Sequence, residues 1–396
     1  MTVATMRSID RFVGIPLCLF VGAMRRITPA RDASPTRECW DAIVVMKMFG
    51  LGSLVLSFPF LSALKQRSPN ARIIYVTFST NTPVLERLPF PVEILPIRTA
   101  SLGAFLIDSI RTLRRLRKIR PQAVFDLEFF SKYSTLLSAM SGAPQRFGYD
   151  LDARWRRMNI TERVAYQHGR HVVDIFLHLL PKQRIQSEPF SIDVVKPSDG
   201  EHSTLWSLLT ADGINGRRLV AVNINAGTTS LDRRWSPKRF AEVLSAYLQQ
   251  SPETAVILTG DATERRYVQT MLHAHPELGG RAFTYAGRLS LGEFLALLER
   301  VAWLLTNDSA PMHFAASMGT PVVALFGPES PAMYAPLGRG RILYAGLPCS
   351  PCLSVYRAKQ FSCPYDTLCM RSLSTTSVLE AIGQVEQETT ERSACA

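Results

Sequence analysis

The stretch Trp303–Gly338, WLLTNDSAPMHFAASMGTPVVALFGPESPAMYAPLG, decides the predicted fold. It begins with an apolar strand, Trp303–Thr306, followed by a polar turn and a helical pattern that ends at Gly319. Glycine is typical of the position just after a helix C-terminus. A second apolar run, Pro321–Phe326, comes next. This order predicts a strand–helix–strand unit whose loop lies at the carboxyl edge of a parallel sheet, where open α/β sheets bind ligands.

The loop of this unit has the features of an anion site. Asp308 and Ser309 are favourable N-cap residues, and Pro311 suits the first turn of a helix. A helix N-terminus presents free backbone N–H groups and the positive end of the helix dipole to a phosphate. We therefore expect the backbone from Ser309 through Ala310 and Pro311 to Met312 to bind phosphate. A capped helix without a ligand is the alternative interpretation.

Strand-then-helix patterns repeat along the whole chain. Apolar runs predict strands at 42–46, 72–78, 92–96 and 123–127 in the first half and at 219–224, 255–259 and 283–285 in the second. The predicted fold class is α/β, with two doubly wound, Rossmann-like domains. We predict an N-terminal segment over 1–40, a first domain over 41–200 and a second over 201–396, connected at 189–203.

The charge balance points to an anionic partner. The net charge of +12 and the pI of about 9.6 suit nucleic acid, an acidic membrane leaflet or a phosphorylated glycolipid. Nucleic acid is disfavoured, because no aromatic-rich RNA motif or recognition-helix pattern accompanies the charge. A helical pattern over 110–120 places Arg111, Arg114, Arg115 and Lys118 on one face. That face is either merely solvated or a docking surface for anionic lipid.

The N-terminal segment contains an apolar run, Phe12–Met24, between Arg11 and the pair Arg25-Arg26. The run is too short to span a bilayer, and no convincing signal-peptide cleavage site follows it. Two interpretations remain open. The run is an interfacial anchor with arginines at anionic headgroups, or it is a helix packed on the protein's own surface.

The pattern Asp308-x4-His313-x-Ala315-Ala316, with Gly319-x-Pro321 and Leu325-Phe326-Gly327-Pro328 after it, resembles glycosyltransferase family 9. This family comprises the ADP-heptose:lipopolysaccharide heptosyltransferases and their relatives, and the resemblance runs from about 40 to 382. It implies a GT-B fold in which an acceptor-binding domain and a nucleotide-sugar-binding domain face a cleft. It also implies a cytoplasmic, membrane-peripheral enzyme.

The resemblance implies the substrates as well. The donor is a nucleotide-diphosphate sugar, with ADP-heptose as one candidate, and the acceptor is a glycolipid or polysaccharide. No cofactor is required, and no Asp-x-Asp metal pair stands in a plausible loop, so we expect protein groups to neutralise the diphosphate. A non-catalytic nucleotide-sugar-binding or assembly protein is the alternative function.

The resemblance assigns donor-binding roles in the second half. Thr228, Thr229 and Arg233 match a Thr-Thr pair and a lysine that bind phosphate, and Asp308 matches an acceptor of sugar hydroxyls. His313 has a structural or phosphate-side role in this interpretation. Glu264, which follows a strand end, is a candidate for binding the ribose. From the spacing alone, Thr228-Thr229 is more typical of a polar turn and His313 of a packed histidine. Asp308 is also typical of an N-cap, and Glu264 is as typical of a first-turn acid as of a ligand-binding residue.

The general base is where the sequence departs from the family pattern. Ser53 stands where the heptosyltransferases have an aspartate, after Gly50 and Gly52 in the first loop. A serine hydroxyl is a poor base, and loss of the base motivates the alternative of a binding protein. Two acids, Asp126 and Glu128, end the strand at 123–127. We predict that Glu128 is the base and that Asp126 orients it or Lys47.

Four cysteines near the C-terminus, Cys349, Cys352, Cys363 and Cys369, form a possible structural cluster. A Cys-x2-Cys pair followed by two more cysteines is compatible with a zinc clip. The second pair lacks the spacing of a zinc ribbon, so reduced or disulfide-linked cysteines are the favoured interpretation. No metal is predicted for catalysis.

Overall fold

Each half of the chain builds a six-stranded parallel sheet. The computed structural model describes residues 3–27, 40–181, 192, 194–227, 230–353 and 362–395. The chain divides into unit 1, Met1–Asp193, and unit 2, Val194–Ala396. The prediction of two doubly wound α/β sheets is confirmed. The domain boundaries drawn from the sequence at 40/41 and 200/201 stay predictions.

Unit 1 alternates strands with helices. Its strands are β1 (Ala42–Met46), β2 (Arg72–Phe78), β3 (Glu93–Ile97), β4 (Ala123–Asp126), β5 (Gln145–Asp150) and β6 (Glu162–Ala165). Its described helices are α1 (Val3–Phe12), α2 (Gly14–Ile27), α3 (Leu51–Val55), α4 (Phe58–Arg67), α5 (Thr82–Leu85), α6 (Leu102–Ile119), α7 (Lys132–Met140), α8 (Arg154–Arg157) and α9 (Val172–Leu177).

Unit 2 repeats this alternation. Its strands are β7 (Arg218–Asn223), β8 (Thr254–Leu258), β9 (Ala282–Thr284), β10 (Leu304–Asn307), β11 (Val322–Phe326) and β12 (Gly340–Tyr344). Its described helices are α10 (Asp199–Ala211), α11 (Pro237–Gln250), α12 (Arg265–Ala274), α13 (Leu291–Arg300), α14 (Ala310–Ser317), α15 (Pro331–Tyr334), α16 (Leu368–Arg371) and α17 (Thr375–Cys395).

Both sheets follow the same winding. The strand order is β3-β2-β1-β4-β5-β6 in unit 1 and β12-β11-β10-β7-β8-β9 in unit 2. The winding reverses between β1 and β4 and between β7 and β10, and each of these pairs is parallel. In a doubly wound sheet, a crevice opens at the carboxyl ends of the strands where the winding reverses. These two switch points are therefore where ligands are expected.

The predicted strands are found within one residue of their expected bounds. They read as continuous apolar runs because helices cover both faces of a parallel sheet. β1, β8 and β11 are buried at every position. The helix of the opening stretch, α14, is followed by Gly319 with φ of 76°, the left-handed conformation that favours glycine at a helix end.

The predicted connection at 189–203 stays a prediction, and its C-terminal end is helical. Helix α10 begins at Asp199, because Ser198 and Glu201 form a capping box that fixes the helix start. Residues 189–191 and 193 of this stretch lie outside the described residues. Two short helices, α3 and α4, follow the first loop.

A buried arginine, Arg156 of α8, joins the carboxyl ends of β4 and β5. Its Nη2 donates to the carbonyl oxygen of Glu128 at 2.6 Å and lies 3.2 Å from Asp126 Oδ2. Its Nε donates to the carbonyl oxygen of Tyr149 at 3.1 Å. The arginine side chain has no solvent exposure. It therefore holds the loop after β4 in place through a charge that water does not reach.

We expect Arg156→Met to lower the free energy of unfolding by about 3–5 kcal/mol, because it leaves the buried carboxylate of Asp126 without its cation. Chemical denaturation measures this change. Arg154→Met is the matched control, since Arg154 is exposed on the same helix, and it should change the free energy by less than about 0.5 kcal/mol. Equal losses in both variants would contradict the structural role of Arg156.

Candidate functional site

Three buried asparagines organise the switch point of unit 2. Asn307, the last residue of β10, donates from Nδ2 to the carbonyl oxygens of Ile224 and Asn225 at 3.0 and 3.2 Å. Its Oδ1 accepts the backbone N–H of Trp235 at 3.0 Å. Asn223 Oδ1 accepts the backbone N–H of Asn225 at 3.0 Å. Because unpaired buried amides are unfavourable, these bonds fix both loops. The sequence analysis missed them, although asparagines at strand ends are a detectable signal.

Arg233 connects the same two loops. Its Nη1 donates to the carbonyl oxygen of Asp308 at 2.9 Å and to Asp308 Oδ2 at 3.2 Å. Its Nη2 donates to the carbonyl oxygen of Ala226, and its Nε donates to that of Ser230 at 3.4 Å. The side chains of Arg233 and Asp308 are 13% and 6% exposed. The guanidinium thus lies beside the residue that precedes the N-cap of α14, where the sequence predicted a shared site.

The N-terminus of α14 differs in detail from the expectation. Its N-cap is Ser309, and the predicted side-chain cap is wrong, because no side chain bonds to the first turn. The Ser309 hydroxyl donates instead to the carbonyl oxygen of Asn307 at 3.1 Å. Pro311 has no N–H, and the Met312 N–H donates to the carbonyl oxygen of Ser309 at 3.2 Å. Of the predicted phosphate donors, the N–H groups of Ser309 and Ala310 are therefore the better placed.

The other residues predicted to bind the donor substrate are Glu264, His313, Thr228 and Thr229. Glu264 precedes α12, and its Oε2 accepts the backbone N–H of Asp261 at 3.0 Å. Partial burial raises the pKa of Glu264 above its ordinary value. His313 is buried within α14, as a packed histidine would be. Thr228 and Thr229 lie outside the described residues.

In unit 1, Glu128 holds the loop after β1. Its Oε1 accepts from Lys47 Nζ at 2.9 Å and from the backbone N–H groups of Met48 and Phe49 at 2.7 and 2.9 Å. Lys47 Nζ also donates to the carbonyl oxygen of Phe49. Lys47 and Glu128 are both buried. Three donors on one oxygen tie the Glu128 side chain to the loop after β1, so Glu128 joins the ends of β1 and β4.

Asp126 is buried next to Glu128 at the carboxyl end of β4. Its Oδ1 accepts the backbone N–H of Glu128 at 3.1 Å, so it positions the main chain of that residue. Burial raises the pKa of Asp126, and the guanidinium of Arg156 opposes the shift. Lys47 bonds to Glu128 rather than to Asp126. Asp126 is 2% exposed and has the position of a supporting group.

The glycine loop contributes shape rather than basicity. Gly50 has φ of 82°, which favours glycine, and a Cβ there would lie 2.7 Å from Ser53 Oγ. The Ser53 hydroxyl donates to the carbonyl oxygens of Gly50 and Phe49 at 2.9 and 3.2 Å. Gly52 follows in the first turn of α3. The Ser53 hydroxyl is therefore bound within its own loop.

The four C-terminal cysteines carry free thiols. Burial raises the pKa of Cys352 to about 11, and negative charge on Cys369, Cys363 and Cys349 adds to the shift. Among the described residues, no group of three or more histidine, cysteine, aspartate or glutamate side chains is arranged to hold a metal ion.

Candidate site residues with described side chains form one cluster in unit 1 and another in unit 2. Arg233, Asp308 and Ser309 meet at the switch point of unit 2, and Lys47, Glu128 and Asp126 meet at that of unit 1. Arg156 is the residue that the sequence did not indicate, since nothing in its Arg-Trp-Arg-Arg segment distinguishes the buried arginine from the exposed ones.

Known proteins match this chain over most of its length. Lipopolysaccharide heptosyltransferase 2 of Escherichia coli K12 is 25% identical over 303 residues, which cover 74% of this chain and 85% of that protein. A glycosyltransferase family 9 structure from Veillonella parvula superposes with a TM-score of 0.70 at 22% identity, covering 89% of this chain and 99% of that one. E. coli ADP-heptose lipopolysaccharide heptosyltransferase II gives a TM-score of 0.68 at 20% identity, covering 88% and 99%.

The structural matches show the fold, and the match to the family model shows the family. The model of glycosyltransferase family 9 (heptosyltransferase) matches residues 110–360, which is more than half of the 396 residues. The matched range includes β4 with Glu128 and the whole of the Arg233–Asp308 cluster. The chain belongs to glycosyltransferase family 9 and is a glycosyltransferase with a GT-B fold.

Proposed function

We propose that this enzyme transfers a heptose or a related sugar from a nucleotide-diphosphate sugar to a lipopolysaccharide or another glycolipid. One observation carries the proposal: Arg233 lies against Asp308 beside the uncapped N-terminus of α14, at a switch point. ADP-heptose is the first candidate donor, because relatives of the chain include an enzyme named for it. The acceptor class follows from the names of the curated relatives.

The donor end of the proposal is electrostatic. A leaving diphosphate carries about two negative charges, and preorganised donors stabilise the charge that develops as the sugar departs. The Ser309 and Ala310 N–H groups, the dipole of α14 and the Arg233 guanidinium supply positive potential at one place. Asp308 Oδ2 is bonded to Arg233, so its Oδ1 is the proposed acceptor for a sugar hydroxyl. Glu264 is proposed to bind the ribose.

Two further residues are proposed to complete the donor site. Thr228 and Thr229 stand between β7 and Arg233 and would add hydroxyl donors to the diphosphate. This assignment rests on the sequence pattern alone. Metal independence is proposed because charged protein groups can take the place of a cation. One Asp-x-Asp pair does occur, at Asp150 and Asp152 after β5, and Arg157 pairs with both of its carboxylates.

The acceptor end of the proposal assigns proton transfer to Glu128, with inversion at the anomeric carbon. Ser53 is not a candidate, because its hydroxyl is bound to its own loop. Lys47 and the two backbone N–H groups on Oε1 fix the carboxylate and leave proton transfer to Oε2. Asp126 is proposed as a positioning residue. The enzyme is proposed to act at the cytoplasmic face of the inner membrane on an anionic surface, without nucleic acid as a partner.

Ligand-dependent thermal unfolding tests the proposed function as a whole. A ligand that binds only the native state raises the unfolding temperature, so ADP and ADP-heptose should stabilise the chain more than other nucleotides do. Turnover of the stabilising sugar nucleotide with a lipopolysaccharide acceptor should follow. Stabilisation without turnover would favour a binding protein, and no stabilisation by any sugar nucleotide would refute the proposal.

We expect Arg233→Ala to weaken ADP binding about ten- to a hundredfold, because a charged hydrogen-bond donor contributes about 1.5–3 kcal/mol. Arg233→Lys should recover part of the affinity, since it keeps the charge but not the fork that bridges two loops. Isothermal titration calorimetry measures both.

Arg218→Ala is the control for this measurement. Arg218 forms an ion pair with Glu386 at 2.7 Å. It is the first residue of β7 and lies at the amino end of that strand, whereas the candidate site lies in the loops at the carboxyl ends. ADP affinity should be unchanged in this variant. If Arg233→Ala and Arg218→Ala bind ADP equally well, the diphosphate site lies elsewhere.

We expect Glu128→Gln to lower kcat by about 10²–10⁴-fold, the range for loss of a general base, while ADP affinity stays within about twofold. Glutamine keeps a carbonyl oxygen for the Met48 and Phe49 N–H groups, so the loop should persist. Ser53→Ala is the comparison, and it should retain turnover within about threefold. Turnover by Glu128→Gln at the wild-type rate would remove Glu128 from the mechanism.

A further inference from the structure

The N-terminal helices α1 and α2 have one face packed on unit 1 and another face in solvent. Gly14, Cys18 and Gly22 form the packed face. A Cβ on Gly14 or Gly22 would lie 2.6 Å from the Cβ of Lys132 or Met158. Cys18 is fully buried, and its carbonyl oxygen accepts from Asn159 Nδ2 at 2.9 Å. Small residues at four-residue spacing let the helix lie directly against α7 and α8.

The outer face of the same helices is apolar. Phe12 is 73% exposed and Phe20 is 64% exposed, although both are large hydrophobic side chains. The other exposed members of this face are Val13, Leu17 and Met24. The spacing from 13 through 17 and 20 to 24 is that of one side of a helix. A contiguous exposed apolar stripe marks an interaction site rather than ordinary surface.

Helix α6 has a second exposed apolar stripe in its N-terminal half. Its members, each about half-exposed, are Leu102, Leu106, Ile107 and Ile110. Tyr133 of α7 forms hydrogen bonds with both α1 and α6. Its backbone N–H donates to Asp10 Oδ1 of α1 at 2.9 Å, and its hydroxyl lies 2.6 Å from Ser109 Oγ of α6. Helices α1 and α6 therefore both contact the first turn of α7, and α7 begins four residues after Glu128.

Positive charge accompanies both stripes. Residues 3–27 contain four arginines and one aspartate, and residues 102–119 contain four arginines, one lysine and one aspartate. These two segments hold a surplus of seven positive charges out of the chain's net +12. Both aspartates are already paired, Asp10 with Lys132 at 3.6 Å and Asp108 with Arg98 at 2.7 Å. Arg115 also pairs with Glu93 at 3.3 Å. The exposed side chains of Arg11, Arg114 and Lys118 make the charge beside the apolar stripes basic.

A basic cavity borders α2 as well. It has a volume of about 510 Å³, and its lining includes Arg154, Arg163 and Met158, together with Arg157 and Asp152, which pair with each other. Met158 is the residue against which Gly22 packs. Arg154 and Arg163 are exposed. A cavity lined by arginines at the margin of an apolar helix suits the phosphate of a lipid headgroup.

We propose that the outer faces of α1, α2 and α6 form one docking surface for an anionic lipid bilayer, with α6 apolar in its N-terminal half and basic in its C-terminal half. The apolar side chains enter the boundary between headgroups and acyl chains, and the arginines contact the headgroups. A second copy of the chain is a poorer occupant, because it would bring a like-charged surface against this one. Among the described residues, no helix has the length and apolar character to cross a membrane, so the contact is interfacial.

This inference deepens the proposed function, and it rests on it only for the identity of the acceptor. Helices α1 and α2 lie outside the residues 110–360 matched by the family model. The docking surface places the lipid beside the loop that carries Glu128, within unit 1. A glycolipid acceptor would thus be met at the bilayer surface and not drawn into solution.

Vesicle co-sedimentation of the full chain tests the surface. Vesicles of phosphatidylcholine with about one-third phosphatidylglycerol should bind the wild type at least tenfold more tightly than pure phosphatidylcholine, and added salt should weaken the difference. The double variant Phe12→Ser/Phe20→Ser should lower binding to the anionic vesicles at least tenfold. Val195→Ser, which replaces an exposed apolar residue of unit 2, should bind like the wild type.

A charge variant separates the two contributions. Arg114→Gln/Lys118→Gln should reduce binding to the anionic vesicles about tenfold and leave binding to phosphatidylcholine unchanged. Lys238→Gln/Arg266→Gln is the matched control on exposed residues of unit 2. Hydrogen exchange of the wild type is a measurement that does not depend on variants. Vesicles should protect amides of 3–27 and 102–111 more than those of 199–211.

Three results would overturn the proposal: no preference for anionic vesicles, wild-type binding by Phe12→Ser/Phe20→Ser, or exchange protection elsewhere in unit 1. A dimer in sedimentation velocity that this variant disperses, without an effect on vesicle binding, would assign the surface to self-association. Stabilisation by ADP is recorded in parallel without vesicles. Vesicle binding without ADP stabilisation would refute the proposed function and leave the docking surface standing.

Discussion

A parallel sheet that is covered on both faces can present polar groups only at the ends of its strands, and this constraint governs both units. The strands of each sheet are apolar because helices exclude water from their faces. Each unit therefore places its functional side chains in the loops that follow the first and fourth strands. The strand order returns these two loops to one place in each sheet.

The two units solve the problem of holding such loops in the same way. In unit 1, the buried Arg156 bonds to the main chain and to Asp126, and Glu128 gathers three donors from the neighbouring loop. In unit 2, Arg233 bonds to three carbonyl oxygens and to Asp308. Each arginine satisfies several acceptors at once, which a lysine cannot do with the same geometry. Charged side chains thus hold these loops in place in the absence of substrate.

The sequence predicted the elements more completely than the contacts between them. Apolar runs gave the central strands because full burial leaves a strong local signal, whereas the edge strands β6 and β12 are half-exposed and were not predicted. The family pattern selected Arg233 and Asp308, but they stand 75 residues apart, so their hydrogen bonds needed the fold. The predicted side-chain cap by Ser309 is absent because its hydroxyl donates to the carbonyl oxygen of Asn307 at the end of β10. Residue spacing does not show which of these two hydrogen bonds forms.

The separate cores of the two units have a thermodynamic consequence. One core contains Val44, Ile74 and Val124 of unit 1, and the other contains Trp235, Phe240 and Trp303 of unit 2. A protein with two cores is not bound to melt in one step, and a single transition temperature then describes neither core. Calorimetric traces should be fitted as two overlapping endotherms. A nucleotide held by unit 2 would displace one of them and leave the other at its original temperature.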